Sequence, residues 1–199
     1  MKYIVGIDEV GRGPLAGPVT TCVCVCDIAI YGTLKKSREL PKSGLDSKKL
    51  SAQERMRYAN ILKRLQKEKK ISYSVNHVSN KIIDSKGISH AINKSIALGI
   101  EKLGLDCGKC DVRLDGGLRA PIGFKKQKTI IKGDEKERII AWASILAKVS
   151  RDSLMTRAGK KFPGYGLEIH KGYGTLKHRQ AIKKRGISSI HRKTFCHLT

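Results

Sequence analysis

Tyr3-Ile-Val-Gly-Ile-Asp-Glu-Val-Gly-Arg-Gly-Pro-Leu-Ala-Gly-Pro18 is the stretch on which the reading of this chain turns. Residues 3–7 form a short apolar run with the composition of a buried strand. The run ends on two acids, Asp8 and Glu9, and passes into Gly11-Arg-Gly-Pro-Leu-Ala16. That segment matches G-x-G-x-x-A, the dinucleotide fingerprint, which has to open a helix with its N–H groups aimed at a pyrophosphate. Pro14 and Pro18 remove two of those donors, and residues 20–29, rich in Val and Ile, read as a second strand. The dinucleotide reading is therefore rejected. What remains is a strand that delivers acids to a glycine turn. Backbone can approach a ligand closely there, with Arg12 available for a phosphate or sugar.

Working outward, residues 31–44 are basic and punctuated by Gly32, Pro41 and Gly44, which predicts an exposed loop. Ser51-x-x-Glu54 is a capping box for a helix running to about Lys70, with Met56, Ala59, Leu62 and Leu65 as its apolar stripe. A strand is expected over 71–75. Ile88, Ile92, Ile96, Ile100 and Leu103 form a second helical stripe, ended by Gly104. Short strands at 112–114 and 129–131 precede a long helix from Glu137 to about Arg157. A basic helix over 175–185 ends at Gly186. Strands first, then alternating helices and strands, predict an α/β fold with a mixed sheet and helices on both faces. The expected organisation is a main domain over 1–158 and a helical extension over 159–199, packed together as a single structural unit.

Of the 199 residues, 41 are Lys or Arg and 17 are Asp or Glu, a formal charge of +24. Self-repulsion of that size opposes compaction and points to a polyanionic partner. The longest apolar stretch, residues 19–30, is cut by Asp27 and falls short of the ~20 residues that span a bilayer. Asp8 and Glu9 arrive before any export-type core can form. A cytoplasmic protein without membrane contact is expected, with its six cysteines reduced. Cys22, Cys24 and Cys26 alternate along one strand and so share a face. Cys107-x-x-Cys110 lacks the second pair that a zinc ribbon needs.

In so basic a chain, acids after strands are conspicuous. Asp8 and Glu9 follow the first strand, Asp115 follows 112–114, and Asp134 follows 129–131, each beside a glycine turn. Sites in open α/β sheets gather beyond the carboxyl ends of strands. Carboxylates collected there repel one another unless cations neutralise them, and oxygen ligands favour magnesium or manganese over zinc. Two such ions can clamp an in-line phosphoryl displacement. Neighbouring strand residues point to opposite faces, so Asp8 and Glu9 converge only if the strand ends between them. Further along, Ser144, Lys148 and Arg151 share one polar helical face, while Trp142, Ile145, Leu146 and Val149 face the other way. Solvent exposure is the expectation for Arg151 and Asp152.

Beyond the opening stretch, six further segments complete a pattern: Asp46-Ser-Lys-Lys-Leu-Ser51, Leu114-Asp-Gly116, Lys132-Gly-Asp134, Ala143-Ser-Ile-Leu-Ala-Lys-Val149 with Arg151-Asp152, His170-Lys-Gly-Tyr-Gly-Thr175 and His191-Arg-Lys-Thr-Phe195. Together, in this order and across the whole chain, they resemble ribonuclease HII, the type 2 ribonucleases H. The resemblance implies an RNase H-like fold with a mixed five-stranded sheet, flanking helices and a C-terminal helical extension. It implies metal-dependent endonucleolytic cleavage of the RNA strand of RNA–DNA hybrids, and of ribonucleotides embedded in duplex DNA, leaving 3′-hydroxyl and 5′-phosphate ends. Carried over by motif, Asp8, Glu9, Asp115 and Asp134 are the metal-binding catalytic carboxylates for two cations, Mn2+ or Mg2+. Gly11, Arg12 and Gly13 match the segment that reads the ribose 2′-hydroxyl, and Tyr173 matches the tyrosine that packs on the neighbouring sugar. Lys48, Ser144 and Lys148 match phosphate-contacting positions. A monomer is expected.

Four features depart from the family pattern. The segment over 31–44 is longer and more basic, Gly117 stands where the family often has Asn, Trp142 replaces a usual small residue, and the content of six cysteines is unusual. The rival reading is a non-catalytic basic RNA-binding protein. The charge and Cys107/Cys110 suit it, but such a protein has no need of acids at strand ends and would carry aromatic RNA-recognition motifs.

Overall fold

A computed structural model of the chain describes residues 1–41 and 50–196. Its five strands are β1 (Tyr3–Val10), β2 (Val19–Asp27), β3 (Ile71–Val78), β4 (Cys110–Asp115) and β5 (Gln127–Ile130). They form one mixed sheet in the order β3-β2-β1-β4-β5. β1 is antiparallel to β2 and parallel to β4, β2 is antiparallel to β3, and β4 is parallel to β5. The central position of β1 explains its apolar run, because a strand covered on both faces cannot alternate with polar residues.

The helices are α1 (Ile28–Leu34), α2 (Ala52–Lys67), α3 (Asn80–Lys86), α4 (Ile88–Lys102), α5 (Gly133–Lys136), α6 (Arg138–Lys161), α7 (Leu167–His170) and α8 (Leu176–Arg185). The period-two alternation of strand side chains sorts the core into two layers. Val5, Ile7, Val23, Val112 and Leu114 face α3 and α4, meeting Ile83, Ile92, Ile96 and Ile100. Ile4, Cys22, Cys24 and Cys26 face α2 and α6, meeting Leu62, Leu65, Trp142, Ala143 and Leu146. The three strand cysteines thus share a buried face as free thiols.

α6 crosses directly over β1. A Cβ at Gly6 would lie 2.2 Å from the carbonyl oxygen of Ile139, so only glycine lets the helix settle there. That contact brings the polar positions of α6 to the carboxyl end of β1. α6 is also continuous across position 158, where the sequence suggested a change of unit.

Several local expectations change. β2 stops at Asp27, whose carboxylate accepts the Ala29 N–H at 2.9 Å and caps α1. Part of the predicted 31–44 loop is therefore helix, and Tyr31 is buried with its ring edge-on to Trp142 at 5.5 Å. Two departures from the family pattern meet in that contact. Residues 42–44 of the segment lie outside the described residues. In α2 the capping box forms, with the Ser51 hydroxyl accepting the Glu54 N–H and Glu54 accepting the Ser51 N–H. Ala59, Leu62 and Leu65 are buried, but Met56 is 45% exposed, because it sits at the rim of the stripe. β3 runs on to Val78, and α3, which carries too few apolar residues for a periodic signal, is separated from α4 by Gly87.

Candidate active site

Ile7 pairs with Leu114 in the parallel β1–β4 ladder, which ends there. Asp8 and Asp115 are the next residue on each strand, so register alone sets them side by side. β1 does not end between Asp8 and Glu9, contrary to the sequence expectation; it stays paired to β2 as far as Val10. The two acids converge nevertheless. With the β4 ladder finished, that edge of β1 is open, and the longer Glu9 side chain can turn toward it. The Glu9 N–H donates to Asp8 Oδ1 at 2.7 Å. Oxygens of Asp8, Glu9 and Asp115 lie within 4.8 Å of one another.

Asp134 arrives differently. It sits within the short helix α5 rather than at a strand end, after Lys132 reverses the chain at φ 54. Asp115 Oδ1 accepts the Gly133 N–H at 2.6 Å, which ties α5 to the end of β4. Asp134 is buried at 6% exposure and lies outside the 4.8 Å group, but its charge reaches Asp8.

Burial holds the Asp8 carboxyl well above the usual carboxylate range, and the charges of Glu9 and Asp115 push the same way. The Ser144 hydroxyl, hydrogen-bonded to Asp8, opposes them. Glu9 is raised by burial against the pull of Arg12, whose Nε lies 3.5 Å from Glu9 Oε1. Glu9 Oε2 is buried without a hydrogen-bond partner among the described residues. Crowded, desolvated carboxylate oxygens with one orphan atom fit a hard divalent cation bound through oxygen.

The acids open onto a cleft of about 560 Å³ whose walls include Gly11, Arg12, Gly13, Ser144, Lys148 and Tyr173. Lys48 lies outside the described residues. Lys148 is braced by Asp152 at 2.9 Å and stands 6.0 Å from the centre of the Tyr173 ring. Asp152 is thus an ion-pair partner at the cleft edge, not a solvated surface acid. Arg151 corrects the sequence reading outright. It is fully buried, because α6 passes beneath the 11–18 loop and the guanidinium bonds that loop's carbonyls.

Three residues escaped the sequence reading. Arg55 reaches the cleft from α2 and donates to the Leu50 carbonyl. Arg151 and Arg192 hold the glycine loop from below, the latter with no signal beyond its place in His191-Arg-Lys-Thr-Phe195. Behind Tyr173, His170 stacks on His178 at 4.2 Å, and the Tyr173 carbonyl meets His178 Nδ1 at 2.9 Å.

A mixed sheet with acids at the carboxyl ends of its central parallel strands defines a nuclease of the ribonuclease H class. The crystal structure of ribonuclease H2 from Pyrococcus horikoshii is similar, with a TM-score of 0.71 at 25% identity over 96% of this chain and 93% of that one. Bst-RNase HIII in complex with Mn2+ shares the fold, with a TM-score of 0.63 at 16% identity over 98% of this chain and 67% of that one. The chain belongs to the ribonuclease HII family, whose profile matches residues 5–198. Ribonuclease HII of Clostridium beijerinckii is 45% identical over 98% of this chain, which spans 67% of that relative's length. The protein is an endoribonuclease that hydrolyses the RNA strand of RNA–DNA hybrids in a metal-dependent reaction, and the non-catalytic reading gives way. No helix among the described residues is long and apolar enough to cross a membrane.

Proposed function

We propose that Asp8, Glu9, Asp115 and Asp134 hold two divalent cations, Mg2+ or Mn2+, and that the enzyme also cuts at single ribonucleotides embedded in duplex DNA, leaving 3′-hydroxyl and 5′-phosphate ends. One observation carries this reading: oxygens of three acids meet within 4.8 Å around a buried Asp8. The Mn2+ complex of Bst-RNase HIII supports the choice of ion. The cations supply charge stabilisation on the attacking and leaving oxygens of an in-line displacement. Ser144, bonded to Asp8, fixes the orientation of that carboxylate, and it borders the path of a substrate phosphate. Lys148, held by Asp152, offers a charged donor to the same phosphate. Lys48 contributes a further phosphate contact. Gly11, Arg12 and Gly13 read the 2′-hydroxyl through backbone groups, and the Tyr173 ring packs on the neighbouring sugar. The enzyme acts as a cytoplasmic monomer, with the C-terminal helical extension that begins at 159 packed on the catalytic domain as one unit.

The test is a gel assay on a duplex carrying one ribonucleotide, with and without manganese. Cleavage that requires the metal and leaves a 3′-hydroxyl at the ribonucleotide junction is expected. Binding without metal-dependent cleavage would return the protein to the RNA-binding class.

A further inference from the structure

We propose that Arg151 and Arg192 are positioning residues for ribonucleotide recognition: they grip the 11–18 loop by its carbonyl oxygens and so turn the Arg12 and Gly13 N–H groups toward the scissile ribose. The inference rests on the reading of Gly11-Arg12-Gly13 as the segment that faces the sugar.

Both side chains are fully buried, and neither pairs with a carboxylate among the described residues. A buried cation is costly unless its donors are satisfied, and an apolar side chain of similar volume would fill the same space with less penalty. Carbonyl oxygens satisfy these two. Arg192 Nη2 donates to Gly11 at 2.6 Å, Nη1 to Arg12 at 2.8 Å and Nε to Gly17 at 2.9 Å. Arg151 Nε donates to Pro18 at 2.9 Å and Nη2 to Ala16 at 3.1 Å. Five carbonyls of one loop therefore point inward onto two guanidinium forks.

Peptide geometry converts this grip into an orientation. In a planar trans peptide, the C=O of one residue and the N–H of the next point in opposite directions. With the Gly11 and Arg12 carbonyls turned down onto Arg192, the Arg12 and Gly13 N–H groups turn the other way. Both residues line the cleft, and neither N–H meets an acceptor among the described residues. Gly11 is fitted to the arrangement: its φ is +90, and a Cβ there would lie 2.2 Å from Arg151 Nε. Gly13 is different, because a Cβ built on it would have nothing within 4 Å. The protein's own packing does not demand glycine at 13, which leaves the space for a ligand.

Arg151 and the loop backbone also join the loop to the other sugar-contacting segment. Arg151 Nη1 donates to the Lys171 carbonyl at 3.0 Å, two residues before Tyr173, and the Leu15 N–H donates to Gly172 at 2.8 Å. The N–H groups and the tyrosine ring are thereby set in one frame. A lysine cannot reproduce this, since it lacks the planar fork that spans several acceptors.

The test is a double-mutant cycle between Gly13→Ala and Arg192→Lys on a duplex with one ribonucleotide, with Arg151→Lys as a second probe. Turnover is measured at a temperature where circular dichroism shows each variant folded, and duplex affinity is measured without metal. Each Lys variant is expected to lose about 10–100-fold in kcat, the scale of a small misplacement of reacting groups. Affinity should change by less than about threefold, because phosphate contacts set it. The double variant should be no slower than the slower single variant, since both act through the same N–H groups. Multiplicative losses, unchanged kcat in a folded Lys variant, or failure of both Lys variants to fold would overturn the positioning role. If Gly13→Ala by itself leaves kcat unchanged, the reading of the loop as the ribose sensor fails first, and the two failures are distinguishable.

Discussion

Asp115 and Asp134 reach the cleft by different routes, one by strand register and one through α5, yet both add negative charge around Asp8. Replacing either with Asn keeps the shape and removes the charge. Asp115→Asn and Asp134→Asn should each lower cleavage by more than about 100-fold while duplex binding persists, as seen by filter binding beside a cleavage gel. Near-normal turnover at saturating metal would remove that acid from the site. Tyr173 is 40% exposed, and its ring lies beside Lys148 and Arg151. Tyr173→Phe keeps the packing surface and should cost less than about threefold in kcat. Tyr173→Ala should cost about tenfold or more, the worth of one aromatic stack. Acid positions were legible at this scale because Asp and Glu are scarce in the chain. Arg151 was not, because helical periodicity identifies a face but not what covers it.

Elements show the same division. The capping box of α2 is a local motif, and Ser51→Ala should lower unfolding stability by about 1 kcal/mol in denaturant titration, with activity retained. The histidines behind Tyr173 are a product of packing. His178 is fully buried between the Tyr173 carbonyl and His191 Nε2, which lies 3.1 Å from His178 Nε2. Burial chiefly, with the charges of His170 and His191, pushes the imidazole down from 6.5 to about 4. A folded pKa below the unfolded one means stability that is complete above pH 6.5 and lost as pH falls toward 4. His178→Phe does not titrate, so the melting-temperature difference between wild type and variant should narrow from pH 7 to 4.5. A constant difference would show that the imidazole titrates normally.

Across the whole molecule, the charge of +24 is the dominant quantity. The bases are not spread at random around the site. Arg55 and Lys148 line both the acid cleft and a neighbouring groove, which Arg157, Lys160 and Lys171 continue along α6 and α7. That track suits a duplex backbone, and binding should weaken with salt on a log–log slope steeper than about −3, equivalent to roughly four neutralised phosphates. A flat response in a fluorescence titration would mean that the bases face away from the duplex.

Composition, the period of the apolar residues and a few ordered motifs were enough to determine the α/β class, most elements and the family, and to single out the acids that line the cleft, because each is a local pattern written in consecutive residues. The convergence of Glu9 with Asp8, the burial of Arg151 and Arg192 and the helix at Ile28–Leu34 were decided only by the tertiary structure. Each of these depends on a neighbour distant in sequence. The β1–β4 ladder stops at Ile7, the 11–18 loop lies over α6, and Trp142 offers Tyr31 an apolar seat. A side chain's local pattern says what it can do, and its burial and partners are set by what the rest of the chain folds against it.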